Sequence, residues 1–117
     1  PLGGHFHVPH GLSNALVLAP VLRYNLSAAE IQYAELASVI APERHFPSSN
    51  AAAGWFVDTL AALVARMPMA KTLREVGVTE KDLDLLASDA MKIERLLVNN
   101  PRVMTWDAAR AIYAEQL

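Results

Sequence analysis

Apolar residues recur along this chain with helical spacing and nowhere alternate with period two, so the pattern predicts helices and no sheet. The first ten residues, PLGGHFHVPH, hold two Gly and two Pro and predict a loop. From Leu12 to Tyr24 a helix is expected, with Leu12, Ala15, Leu16, Ala19 and Leu22 in one apolar stripe. Val17, Leu18 and Val21 fill its opposite face, and a helix that is apolar all round is buried all round. Pro20 predicts a kink or a last turn there, because proline has no N–H to give the ladder. A second helix should open at Ser27, where SAAE is a capping box: the Ser27 hydroxyl accepts from the Glu30 N–H while the Glu30 carboxylate reaches back. It should run to about Ile40 and stop before Pro42.

After the loop PERHFPSS, a third helix is predicted from about Asn50 to Met67, with the stripe Phe56, Leu60, Leu63, Val64 and Met67. Pro68 ends it. Thr72 to Val76 predicts a short helical turn closed by Gly77 in the left-handed region. Thr79, with Asp82 in the box position, caps a further helix whose Leu83, Leu86, Ala90, Ile93 and Leu97 face inward. Asn99-Asn100-Pro101 breaks it. Thr105 caps a closing helix from Trp106 to the end, with Asp107 in its positive first turn. The fold class expected is therefore all-α, a bundle of about five to six helices forming a single domain over residues 1–117.

Composition changes this picture in one respect. Hydrophobic residues make up 53% of the 117 residues and charged ones only 19%. One small core cannot hide so much apolar surface, so a partner is expected. The formal charge of −2 gives no reason to expect nucleic acid or an anionic membrane as that partner. The apolar run Ala15 to Leu22 is far short of the ~20 residues a membrane span needs. With no cysteine there is no disulfide, no thiolate metal site and no cysteine nucleophile, which fits a cytoplasmic setting. No leader with a basic start stands at the N-terminus. Pro1, in place of an initiator methionine, points to a processed, trimmed or partial chain.

Candidate chemistry is concentrated in HFHVPHG, where His5, His7 and His10 fall within six positions. Histidine is the commonest metal ligand, yet the spacing matches neither a closed zinc site of two separated pairs nor the HExxH pairing on one helix face. No carboxylate lies near in sequence, so the cluster is at most a partial site. Gly3-Gly4 is no phosphate-binding fingerprint. Tyr33, Trp55 and Phe56 are expected in core or interface packing, and Met67 and Met69 as gap fillers. Asp82, Asp84 and Asp89 have the spacing of a solvated face rather than of paired catalytic carboxylates. Ser13 belongs to the start of a helix, with no carboxylate to orient a histidine toward it. Arg102 is expected to bond carbonyls at a helix end.

Three segments carry a resemblance. LGGHFHVPHGLSNALVLAPVLRYN, with its PHG triplet, resembles the signature of the iron-dependent (group III) alcohol dehydrogenases. TLREVGVTEKDLDLLASDAM is similar to that family's late helical segment, and NNPRVMTWDAARAIYAEQL to its Asn-Pro-Arg turn and closing helix. Together they cover nearly the whole chain in the family's order. The resemblance implies the later part of an all-helical metal domain that in a complete enzyme follows a nucleotide-binding domain. There a divalent metal, iron or zinc, polarises the alcohol oxygen, and hydride passes to NAD(P). His10, the histidine of PHG, is implied as a metal ligand. His5 and His7 stand where the family has no ligand and could take up metal only opportunistically. The aspartate and other histidines that complete the family's site have no counterpart here, and neither does the nucleotide domain.

The resemblance therefore implies a chain that does not transfer hydride when isolated. Three readings follow: part of an oxidoreductase that acts with its missing N-terminal part, a stand-alone interaction module derived from that domain, or a small metal-binding protein using His5, His7 and His10. Cutting away earlier helices would uncover part of the Leu12–Tyr24 helix. At ~25 cal/mol per Å², a few hundred Å² left wet costs several kcal/mol, so self-association as a two-fold dimer is expected.

Overall fold

One helix sets the length of the molecule. In the computed structural model, which describes residues 1–117, α2 (His10–Ile40) spans 31 residues as two helical stretches that meet at a kink, where Ala29 leaves helical geometry. At 1.5 Å per residue that is about 46 Å, and the longest dimension of the whole chain is 44 Å. The short α1 (Leu2–Phe6) precedes it and α3 (Ser49–Arg66) folds back along its second half. Two 3-10 turns follow, Arg74–Val76 and Glu80–Asp82, and then α4 (Leu83–Met91), α5 (Glu94–Leu97) and α6 (Trp106–Glu115) gather on the first half of α2. The expectation of an all-α bundle holds.

Local chemistry explains most of the boundaries. The Ser48 hydroxyl accepts from the Ala51 N–H and starts α3, and the Thr105 hydroxyl accepts from the Ala108 N–H and starts α6. Asp82 accepts from the Thr79 N–H at 2.8 Å, the back-reaching half of the expected capping box. Gly77 sits at φ 94 and closes its 3-10 turn, a conformation that costs glycine nothing.

Several expectations need correction. The predicted N-terminal loop contains α1, which buries Leu2 and ends at His7 in the left-handed region, φ 54. The helices predicted at Leu12–Tyr24 and Ser27–Ile40 form as two stretches, but they meet directly at a kink at Ala29 (φ −126, ψ 20) with no loop between them, and the Ser27–Glu30 capping box is not used. Pro20 neither ends the helix nor disturbs its dihedrals, and it is buried. The long helix predicted from Thr79 is divided into a 3-10 turn, α4 and α5, with Ile93 at the joint. Finally, the Leu12–Tyr24 face is not buried all round, since Leu18 is exposed, and Leu63 and Met67 at the end of α3 are half exposed rather than filling gaps.

A distant turn packs against α2 just before its kink. Asn25, the one buried polar residue, exchanges two hydrogen bonds of 2.8 Å with Asn100. Beside it Arg102 donates to the Tyr24 carbonyl at 3.0 Å, and its guanidinium lies 4.2 Å from the Tyr24 ring centre. So Arg102 does bond a carbonyl, but one in the middle of a helix. Removing one member of a buried amide pair leaves the other unsatisfied, which costs about 1–3 kcal/mol. Asn25→Ala is expected to lower stability by that much in urea denaturation, and the double change Asn25→Ala/Asn100→Ala by less than the sum. Strict additivity would show that the two amides are solvated separately.

The core is in two parts strung along α2. Ala29, Tyr33 and Ala37 pack with Ala52, Ala53, Phe56 and Val57 of α3, with the Tyr33 and Phe56 rings 5.3 Å apart. Leu16 packs with Leu2, Val8, Leu73, Val78 and Leu86 around the other half. This arrangement is extended: the radius of gyration is 15.1 Å, against about 13 Å for a compact chain of this length. Twelve large apolar side chains stay exposed, among them Ile31, Val39, Val98 and Val103 at two-thirds or more. No helix is long and apolar enough to cross a membrane.

Candidate functional site

A cleft of about 360 Å³ opens at the N-terminal end of α2, between α1, the first turns of α2, α5 and α6. His10 is the first residue of α2, just after Pro9 turns the chain (φ −54, ψ 143). The Pro9 carbonyl accepts from the Ser13 hydroxyl at 3.1 Å and from the Ser13 N–H at 2.9 Å, which ties the PHG turn to the helix. Ser13 thus has the structural role expected of it. One turn on, the Asn14 amide nitrogen lies 3.2 Å from His10 Nε2. His10 is exposed at the mouth of the cleft, and Val17, Ile93, Leu96 and Tyr113 make its apolar wall.

The other histidines of the cluster go elsewhere. His5 Nε2 is bonded to the Asp89 carboxylate of α4, whose other oxygen takes the Lys92 ammonium at 2.8 Å. His7 caps α1 and faces solvent. Nowhere do three His, Asp or Glu side chains come together as a metal site needs. Of the three clustered histidines, only His10 lines the cleft.

The acidic residues behave as supports. Asp84 accepts from Arg110 at 2.6 Å and joins α4 to α6, while Asp82 serves as a cap. Lys92, and after it His5, hold the Asp89 carboxyl down at about 2. Because that value is depressed below the ordinary 3.8, the stability it brings is complete above pH 4 and is lost as pH falls through 2. The wild-type chain should lose stability over that interval more steeply than Asp89→Asn, as followed by circular dichroism; parallel curves would mean the contact is lost in solution.

Two participants escaped sequence reasoning. Asp89 lies 84 positions from His5, beyond any local pattern. Tyr113 forms part of the cleft wall, and its burial raises the phenol above its ordinary value, so it stays neutral at physiological pH. Its place on the inner face of the predicted closing helix was the available signal.

The comparisons with known proteins bear on this cleft. Residues 1–117 match the model described as Fe-containing alcohol dehydrogenase family, C-terminal. The chain belongs to this family. The long-chain-alcohol dehydrogenase 1 of Geobacillus thermodenitrificans is 34% identical over 113 residues, which are 97% of this chain and 29% of that protein. The 1,3-propanediol dehydrogenase of Citrobacter freundii is 35% identical over 86% of this chain and 26% of its own length. A crystal structure of 1,3-propanediol oxidoreductase superposes with a TM-score of 0.89 at 30% identity, covering 99% of this chain and 30% of that one. The chain therefore corresponds to the C-terminal helical domain of the iron-containing alcohol dehydrogenases and spans less than a third of their length. In this family domain, the sequence-predicted site residues separate: His10 lines the cleft, while His5 and His7 are engaged at its back and on the surface.

Proposed function

We propose that this domain forms one wall of the active cleft of an NAD(P)-linked alcohol or aldehyde oxidoreductase, with His10 as one ligand of an iron or zinc ion. The observation that supports this reading most is the position of His10: exposed at the mouth of an apolar-walled cleft, held by Asn14 and by the PHG turn. The remaining ligands and the nucleotide site come, on this reading, from polypeptide outside residues 1–117. The role of this chain's own residues is to present the His10 nitrogen in a fixed direction and to give the substrate a dry wall of Val17, Ile93 and Leu96. On the same reading the enzyme works in the cytoplasm, which the absence of a helix long and apolar enough to cross a membrane is consistent with.

The test compares two preparations. The full product of the gene region encoding this chain should carry about one iron or zinc per chain and reduce NAD(P) with a primary alcohol. Residues 1–117 alone should keep no metal after dialysis against chelator. A longer product that holds metal but oxidises no alcohol would reject the reading.

A second reading has its own support in the twelve exposed apolar side chains and the extended shape. Residues 1–117 on their own bury those faces by self-association, most simply as a dimer. Light scattering that finds a monomer at micromolar concentration would dismiss it.

A further inference from the structure

Behind the His10 cleft, among α2, α4, α5 and α6, is a second hollow of about 100 Å³. All eight of its lining residues are hydrophobic. Val17 and Tyr113 line both hollows, which therefore adjoin at these two side chains. Two of the lining residues, Ala90 and Ala109, carry short side chains, and Leu97 and Met104 line it with them. Such walls give water no hydrogen-bonding partner, which makes the hollow one that apolar atoms fill more readily than water.

Its position relative to the polar end of the cleft is set by α2. His10, Asn14, Val17 and Val21 are spaced by four, three and four residues and so lie along one helix face. Along that face the lining passes from imidazole and amide to two valines. The seven residues from His10 to Val17 span about 10 Å. At about 1.2 Å per chain bond, an extended hydrocarbon covers that distance with roughly eight carbons. Taking ~30 Å³, the volume of one liquid water, as the measure of a methylene, the hollow then holds three or so carbons more.

We propose that this hollow is a subsite for the far end of a straight-chain alcohol or aldehyde whose oxygen lies in the His10 cleft. Tyr113 suits the boundary, with an apolar ring toward the hollow and a hydroxyl that stays neutral. The proposal rests on the dehydrogenase reading for the identity of the oxygen end; the apolar end rests on the hollow alone.

The experiment is a titration of the 117-residue chain with 1-butanol, 1-hexanol, 1-octanol and 1-decanol, followed by methyl resonances. Binding should tighten about fourfold for each methylene that enters the hollow, the equivalent of ~0.8 kcal/mol; 1-octanol should shift the methyls of Val17, and 1-decanol those of Met104 and Ala109 as well. Ala109→Leu, which fills the hollow, should remove the preference for the long alcohols and leave 1-butanol unchanged. Ala90→Val narrows the same space from α4 and does the same if Ala109→Leu fails to fold. Shifts confined to surface residues such as Val98 and Val103, or an unchanged long-chain preference in the folded variants, would overturn the proposal. Long alcohols that enter the hollow of a protein found not to oxidise them would support the subsite and reject only the dehydrogenase reading.

Discussion

Phe56→Ala is expected to lower the stability of the chain by about 3–5 kcal/mol. The ring is buried at the centre of the α2–α3 contact, tilted 42° against Tyr33 with 5.3 Å between centroids. Most of its neighbours in that cluster are alanines: Ala29, Ala37, Ala52 and Ala53. Small neighbours have short side chains and cannot move in to close a cavity, so the cost should lie toward the upper end of the range for such truncations. The loss is comparable to the whole stability of an ordinary domain. It should also be local. The second cluster, around Leu16, Leu73 and Leu86, shares no residue with the first. Hydrogen exchange in Phe56→Ala should therefore speed up in α3 and in residues 29–40 while α4 and α6 keep their protection. Urea denaturation with a loss below 1 kcal/mol, or exchange that rises uniformly, would show that α3 is not held by this ring.

The difference between what the sequence pattern predicts and what forms follows from the same two-part core. The helices with one clear apolar stripe and a capping residue, α3 and α6, begin within a residue of where Ser48 and Thr105 place them. Those signals are local, and local physics decides them. The error at residues 24–27 is of the opposite kind. SAAE lies at the kink, which falls at Ala29, but the Asn100 and Arg102 side chains bond Asn25 and Tyr24 from more than seventy residues away, and the two stretches meet with no loop between them. No window around Ser27 contains that information. The short α1 was obscured for a similar reason: two glycines argue against a helix, and burial of Leu2 against Leu16 and Leu86 outweighs them.

The site divides along the same line. The place of His10 was legible because PHG and its flanks form a contiguous stretch, and this stretch turns into a helix at the mouth of a cleft. The His5–Asp89–Lys92 group was not, since it depends on how α1 meets α4. That contact also explains why three histidines in six positions do not come together. One is bonded to a carboxylate, one caps a five-residue helix, and one points into the cleft. Apolar content told more than any motif about what surrounds the chain. The 53% of hydrophobic residues predicted surface in need of cover, and the exposed Leu18, Leu63 and Met67 are part of it.

His10→Ala separates chemistry from fold most sharply. In the full gene product it should lower metal affinity by more than the ~10–100-fold that loss of a mere supporting contact causes, and NAD(P)-linked alcohol oxidation should fall with it. Stability of the apo form should change by less than about 0.5 kcal/mol, because the exposed imidazole has only the Asn14 amide as a hydrogen-bonded neighbour. Asn14→Ala is the companion: it leaves the ligand and removes the group that orients it, so metal affinity should fall by ~10-fold or more while a bound ion remains detectable. The order of the two variants is the informative result. A protein in which Asn14→Ala weakens metal more than His10→Ala does would mean that the imidazole is not a ligand. Equal unfolding of both variants would instead give His10 a structural role at the start of α2, which its exposure argues against.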